Sequence, residues 1–302
     1  MTSPAAARPA ISVLMPVYNT ERFVAETTES VLAQTFRDFE LIALDDGSKD
    51  RSREILEGFA RRDPRVRVVS RPNKGLVATL NEGLALAQAP LIARIDADDL
   101  CHPQRFEKQV AALNADPGLV AVGSCSAAID EDGNALGNYP TPLSHEAIEK
   151  EHLRGQSSIH HPSVMFRTEV VRQLGGYREL VPCEDFDLWL RLGEVGRLAN
   201  LAENLITKRL FPGSIVATTL DKRRRVLDQI MREAWDRRHL TGDPPAPPEV
   251  IVNRADLLRQ WGWMALQGRN LKTARRYALK ALRAQPFRGE TWRLIACSIR
   301  GR

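Results

Sequence analysis

Residues 93–100 read ARIDADDL and place Asp96, Asp98 and Asp99 within four positions, directly after an apolar run. Two carboxylates about 4 Å apart repel by roughly 4 kcal/mol at an effective dielectric near 20. A cation, a proton or full solvation has to offset that repulsion. A hard divalent cation such as Mg²⁺ or Mn²⁺ suits the first answer, because it takes few protein carboxylates and keeps positions open for water and phosphate oxygens. An EF-hand is excluded, since the Gly and distal Glu it needs are not at their offsets. Helix capping by Asp98 or Asp99 is the plainer use of one acid, and it leaves the others unexplained. A second acidic position, Asp46, ends the apolar run FELIALDDGS (39–48). Read alone, Asp-Gly is turn chemistry; beside another acidic run-end it suggests a carboxylate aimed at a bound base or ribose. The third is Glu184–Asp185, ahead of Phe186, Leu188, Trp189 and Leu190. The helix dipole accounts for one acid there, and a carboxylate on a rigid helix start also makes a general base. Spacing leaves these two readings open.

Elements that hold such residues follow from periodicity. ISVLMPVYN (11–19), FELIALDDGS, VRVVS (66–70) and LIARID (91–96) are strand-like and nearly all apolar. Between them TERFVAETTESVLAQTF (20–36), RSREILEGFARR (51–62) and KGLVATLNEGLALAQ (74–88) read as helices, the first with Thr20 as N-cap. Alternation of buried strands and helices predicts a doubly wound, mainly parallel α/β sheet with helices on both faces. Ligands of such sheets lie beyond the carboxyl ends of the strands, where PVYN, DDGS and DADD all fall. Past residue 100, His102–Pro103 is expected to open a helix with Pro at its first position, and two strands join around Asp132–Gly133. HHPSVMFRTEVVRQLGGY gives a loop, a strand and a short helix, CEDFDLWLRLGEVG a helix, and RLANLAENLITKRL a strand. This second half is expected to elaborate the acceptor side of the first rather than fold apart.

The 302 residues are 43% hydrophobic and 27% charged, which describes a globular chain and excludes a disordered one. Cys101, Cys125, Cys183 and Cys297 show no C-x-x-C spacing, arguing against zinc and for free thiols in a reducing compartment. No run approaches the length of a membrane span, and no signal-peptide core precedes the first strand, so a cytoplasmic protein is expected. Charge is uneven. Residues 221–302 hold 19 Lys and Arg against 8 Asp and Glu, or +11, leaving −6 on residues 1–220.

Four ordered segments, SVLMPVYNTERFVAETTESVLAQTFRDFELIALDDGSKDRSREIL, RPNKGLVATLNEGLALAQAPLIARIDADDL, HHPSVMFR and CEDFDLWLRL, resemble glycosyltransferase family 2, of GT-A fold, over roughly residues 10–215. The resemblance implies that Pro16, Val17, Tyr18 and Asp46 hold the nucleotide base and ribose, with Arg71, Asn73 and Gly75 contacting the nucleotide after the third strand. It implies Mn²⁺ or Mg²⁺ on Asp96 and Asp98, Asp98 being the more direct ligand, with Asp99 capping or orienting. Asp185 matches the catalytic base of inverting members, Glu184 lies beside it toward the acceptor, and His161 matches a position near the diphosphate or acceptor, where a structural role serves as well. Metal then neutralises the leaving diphosphate while Asp185 deprotonates the attacking hydroxyl. A uridine diphosphate donor is the commonest family option. Two departures stand out. Phe211 occupies the place of a His found after the last strand of many bacterial relatives, which turns attention to Lys208 and Arg209. The Gln-x-x-Arg-Trp motif of processive synthases is not evident, which favours single addition, to a glycan or lipid-linked acceptor of cell-surface polysaccharide synthesis. A sugar nucleotidyltransferase is disfavoured because the first turn lacks a Gly-rich phosphate loop. A silent binding module is disfavoured because Asp46, Asp98 and Asp185 are all intact.

Residues 1–220 are thus expected to form the catalytic domain and residues 221–302 a basic helical region, with GDPPAPPEV (242–250) as a linker. Gly262, Ala274, Ala281 and Pro286 have a spacing like that of a tetratricopeptide unit. Arg residues interleave with Trp235, Trp261, Trp263 and Trp292, so this tail either docks on the acidic body or lies on an anionic membrane at its inner face. No nucleic-acid-binding module accompanies the charge.

Overall fold

The structure is a computed structural model, and it describes residues 8–211, 220–246 and 253–301. The first half runs β1 (Ile11–Val17), α1 (Val24–Leu32), β2 (Phe39–Asp45), α2 (Ser52–Ala60), β3 (Val66–Ser70), α3 (Leu76–Leu86) and β4 (Leu91–Arg94). The second runs β5 (Leu100–Cys101), α4 (Arg105–Ala115), β6 (Leu119–Asp130), β7 (Ala135–Tyr139), α5 (His145–His152), a 3-10 turn (His161–Ser163), β8 (Met165–Arg167), α6 (Thr168–Gln173), α7 (Glu184–Val195) and β9 (Arg197–Leu210). Among the described residues four more helices follow: α8 (Leu220–Arg237), α9 (Arg254–Gln267), α10 (Leu271–Ala284) and α11 (Gly289–Arg300).

All nine strands share one sheet, ordered β3-β2-β1-β4-β8-β6-β9-β5, with β7 on β6. The β3-β2-β1-β4 half is parallel. Beyond it β8 is antiparallel to β4 and β6, whereas β9 runs parallel to β6. Strand alternation divides the core between two faces. Ile11, Val13, Met15 and Val17 pack with Val24, Val31, Leu56 and Phe106 on one face. Leu14, Ile42 and Leu44 pack with Leu80, Leu84, Leu188 and Trp189 on the other.

Two helix starts differ from expectation. Thr20 caps nothing with its hydroxyl; its carbonyl accepts the Phe23 and Val24 amides at 2.9 Å, making a turn, and α1 begins at Val24. Pro103 lies in a turn in which the Gln104 amide donates to His102 Nδ1 at 3.3 Å, so α4 begins at Arg105.

The C-terminal helices dock on the body. Leu227, Ile230, Met231 and Ala234 of α8 pack against Leu180, Cys183, Phe186 and Leu190, each large apolar side chain contributing about 1.5–3 kcal/mol on full burial. Arg238 and Arg237 pair with Glu149 and Glu194. Helices α9 and α10 press Leu258, Trp261, Tyr277 and Ala281 onto Ala128 and Leu136 of the β6–β7 hairpin. Here the Tyr277 hydroxyl donates to the buried Asp130 at 2.9 Å. Gly137 is required at this contact: a Cβ there would lie 2.9 Å from the Met264 carbonyl oxygen. Among the described residues no helix is long and apolar enough to cross a membrane.

Candidate active site

The carboxyl edge of the sheet gathers the acids. β4 is a short central strand whose hydrogen bonds are taken by β1 and β8, and the chain leaves it in a turn through Asp96–Asp99. Carboxylate oxygens of Asp96, Asp98 and Asp99 lie within 4.8 Å of one another. Neither Asp98 nor Asp99 caps a helix, because the next element is the two-residue strand β5, paired with β9. Asp99 is instead pinned across the sheet: one oxygen accepts the Arg209 amide at 2.8 Å and the other is buried without a partner. Burial, then the charge of Asp96, pushes Asp98 up to about 7. Burial and the Asp98 and Asp96 charges hold Asp99 well above the usual carboxylate range.

Across from it begins α7, with three acids in its first turn. Asp187 is buried and committed, accepting from Arg178 at 2.9 Å and Arg191 at 2.9 Å. Glu184 is 5% exposed, one of its oxygens has no partner, and burial followed by the Asp185 charge pushes it up to about 7. Asp185 is partly buried, which raises its pKa, while the Phe186 amide it accepts at 2.7 Å, Arg94 and Lys208 pull the other way. The two acid groups therefore differ from their locked neighbour in having lone pairs to spare.

Arg94, the last residue of β4, lies between these groups. It is 2% exposed, pairs with Asp96 through Nη2, and leaves Nε and Nη1 without partners. Its charge bears on Asp98, Glu184, Asp185, His161 and Tyr177 alike. Sequence reasoning passed over this residue as part of an apolar strand. A single Arg inside LIARID was the available signal, since Arg is almost never fully buried unless paired.

On the β1–β2 side, Asp46 accepts the Lys74 and Gly75 amides at 2.8 and 2.9 Å and pairs with Arg71. Arg71 also holds Glu82 and donates to the Thr79 hydroxyl at 2.8 Å. The segment 71–75 is thereby folded down over Gly47, where a Cβ would come 2.8 Å from the Asn73 amide nitrogen and where φ is +76°. Gly75 precedes α3 at φ +89°. Val17 is buried, and its carbonyl accepts the Asp46 amide at 2.8 Å; Pro16 is partly buried and Tyr18 is 50% exposed at the mouth.

His161 is buried in the 3-10 turn, its Nε2 3.0 Å from the Tyr177 hydroxyl and its ring edge-on to Trp189. Burial and the Arg94 charge push its pKa well below the usual imidazole value, so it is neutral. Arg209 donates from Nε to the Asp98 carbonyl at 3.1 Å and from Nη2 to Glu26 at 2.6 Å. Phe211 stacks on Phe23, with ring centroids 6.3 Å apart, and Arg209 lies over the same Phe23 ring at 4.5 Å. Lys208 is close enough to lower the pKa of Asp99 and Asp185. The structure thus assembles Asp96, Asp98, Asp99, Glu184, Asp185, Lys208 and Arg209 along one edge, with Asp46, Arg71 and Gly75 as a separate clamp beside them.

The family profile described as "Glycosyl transferase family 2" matches residues 12–175. A putative glycosyltransferase EpsE of Bacillus subtilis is 37% identical over 207 residues, covering 67% of this chain and 73% of its own. The amylovoran biosynthesis glycosyltransferase AmsE of Erwinia amylovora is 33% identical, covering 66% of this chain and 75% of its own. The chondroitin synthase of Escherichia coli is 32% identical over 62% of this chain but only 27% of its own length. Among solved structures, the Pyrobaculum calidifontis mannosyltransferase PcManGT, in complex with GDP-Man and Mn²⁺, superposes at TM-score 0.59 and 19% identity, over 98% of this chain and 81% of its own. S. aureus TarS residues 1–349, in complex with UDP-GlcNAc, gives 0.62 and 17%, over 96% and 81%.

Proposed function

Since the chain belongs to glycosyl transferase family 2 and is a glycosyltransferase of GT-A fold, we propose that it transfers one sugar from a nucleoside diphosphate sugar to a hydroxyl of a glycan or lipid-linked acceptor. It does so with divalent metal and with inversion, in the synthesis of a cell-surface polysaccharide. The relatives named for polysaccharide synthesis support the pathway class. The nucleotide sugars in the two structural neighbours support the donor class, with a uridine diphosphate sugar as the first candidate.

The observation that carries this reading is the acidic cluster facing the α7 start across Arg94. Three carboxylates within 4.8 Å, one buried oxygen without a partner and pKa values pushed upward fit a hard divalent cation, Mn²⁺ or Mg²⁺. Asp98 and Asp96 would hold it, and Asp99 fixes the turn to β9. Such an ion supplies charge neutralisation at the leaving diphosphate. The Asp46 clamp, with Pro16, Val17, Tyr18, Arg71, Asn73 and Gly75, shapes the nucleoside end. Asp185 takes the proton of the acceptor hydroxyl as that oxygen bonds to the anomeric carbon and the bond to the diphosphate breaks on the opposite face. Glu184, beside it, and Lys208 and Arg209, which take over from the His that Phe211 replaces, set the charge of the acceptor and diphosphate side. His161 supports this wall through Tyr177. Residues 1–220 act as the catalytic domain, and residues 221–302 as a docked helical region.

A lipid-linked acceptor brings the enzyme to the inner face of the membrane. Trp292 and Ile299, seven residues apart on α11, are 54% and 66% exposed beside Arg293 and Arg300, and suit contact with anionic lipid.

Calorimetric titration of nucleotide sugars with and without Mn²⁺ tests the reading on the wild type and on Asp98→Ala. One donor binding only with metal, and at least about 100-fold more weakly in the variant, is expected. If no donor binds under any metal condition, the transferase reading fails for this chain.

A further inference from the structure

A second concave site lies at the same edge of the sheet, one residue past Arg209 and one past Asp130. It is a cavity of about 370 Å³ between the β6–β7 tip and the α9–α10 pair. Trp261, Tyr277, Leu210 and Leu258 line it together with Arg254, Lys280, Arg283 and Glu131. Glu131 is engaged elsewhere, 3.6 Å from Arg22. Among the described residues no carboxylate lies within salt-bridge distance of the three cations, and the Lys280 Nζ lies 4.7 Å over the Tyr277 ring.

We propose that this cavity is an acceptor subsite that takes an anionic unit of a saccharide, a uronate carboxylate or a phosphodiester, and that it thereby selects charged over neutral acceptors. The inference rests on the glycosyltransfer reading of the acid cluster. Three arguments carry it. The volume is that of a small-ligand pocket, and the wall mixes apolar and aromatic surface with a few convergent polar groups. The three cations, without a salt-bridge partner among the described residues, match a carboxylate or phosphate oxygen, to which charge-assisted hydrogen bonds are the strong kind. Position completes the case: Arg22, which pairs with Glu131, lies over Phe23, and Phe23 carries Arg209, whose Nε binds the Asp98 carbonyl. A saccharide seated here therefore lies along the wall that leads to the acid cluster. A membrane surface is the poorer occupant, because Trp261 and Tyr277 are 4% and 2% exposed inside a concavity and do not project.

The test uses the full chain and four probes: hyaluronan tetrasaccharide, a glycerol phosphate oligomer, neutral cellotetraose, and vesicles of phosphatidylcholine and phosphatidylglycerol in equal parts. Binding is measured by calorimetry and cosedimentation on the wild type, on the double variant Lys280→Gln/Arg283→Gln, and on Arg232→Gln as a distant control. At least one anionic oligosaccharide should bind more tightly than cellotetraose and lose about tenfold or more in the double variant, with the control and the Mn²⁺-dependent donor affinity unchanged. The carboxylate and phosphate probes separate the two sources. Equal binding of charged and neutral saccharides overturns the proposal, as does an unaffected double variant, or binding by vesicles alone. Loss of donor binding in the wild type would instead sink the transferase reading, which this experiment scores separately. A single Arg283→Gln variant with an unchanged melting curve guards against misfolding.

Discussion

Replacing Glu184 by Gln isolates what the buried acid at the start of α7 costs the fold. The Glu184 carboxyl is 5% exposed, has one oxygen without a partner, and titrates at about 7 rather than 4.5. Because its folded-state pKa is above its unfolded value, the folded protein holds an extra proton between those two pH values. The Glu184 contribution to stability therefore falls as pH rises from about 4.5 to about 7 and is level beyond. A shift of roughly 2.5 units corresponds to about 3 kcal/mol at 1.36 kcal/mol per unit. Gln does not titrate, so the Glu184→Gln variant should match the wild type near pH 4.5 and exceed it by up to about 3 kcal/mol at pH 8. With an unfolding entropy of about 2.1 cal/mol/K per residue, that is a rise in Tm of roughly 5 °C. Melting curves at pH 5 and pH 8 in metal-free buffer read this directly, and sugar transfer by the variant should fall at both. A Tm gain that is the same at both pH values, or a variant less stable at pH 8, would show that the buried charge is not the cause.

Asp46→Asn removes the charge that gathers the Arg71 guanidinium and the Lys74 and Gly75 amides; a loss of about 2 kcal/mol in stability and about tenfold in donor affinity is expected by denaturation and calorimetry. Gly137→Ala drives a Cβ toward the Met264 carbonyl and should cost about 1–3 kcal/mol, with faster amide exchange in α9 than in β1 as the local readout. Trp292→Ser, at a half-exposed position, should leave the Tm within about 1 °C and reduce cosedimentation with phosphatidylglycerol vesicles; unchanged cosedimentation would remove α11 from the proposed membrane contact.

Much of the parallel half was legible because its strands carry their own evidence. Leu91, Ile92 and Ala93 are buried on both faces of a sheet, and such strands read as unbroken apolar runs. The positions that misled were those decided at long range. Asp98 and Asp99 look like helix caps until β9, more than 100 residues later, supplies the Arg209 amide and makes the next element a strand. Thr20 offers a cap, but three more residues, 21–23, form a turn before α1 begins at Val24. Of the site, the acids were visible as residue types at run-ends, while Arg94 was hidden by its apolar neighbours. That Asp187 is locked by Arg178 and Arg191 whereas Glu184 and Asp185 are not could not be read from three acids in one turn.

The bond from the Arg209 amide to Asp99 spans 110 residues. A chain emerging from the ribosome at about 5–20 residues per second therefore makes its acidic turn about 6–22 seconds before it makes the strand that fixes it. During that interval β1 to β4 have all their parallel partners and can form a four-stranded sheet, with Asp96, Asp98 and Asp99 solvated at its end. The clamp of Asp46 on Arg71 and on the Lys74 and Gly75 amides, with Glu82 on Arg71, is complete at this stage. The β1–β4 half can thus be in place before translation reaches the strand that pins its acidic turn.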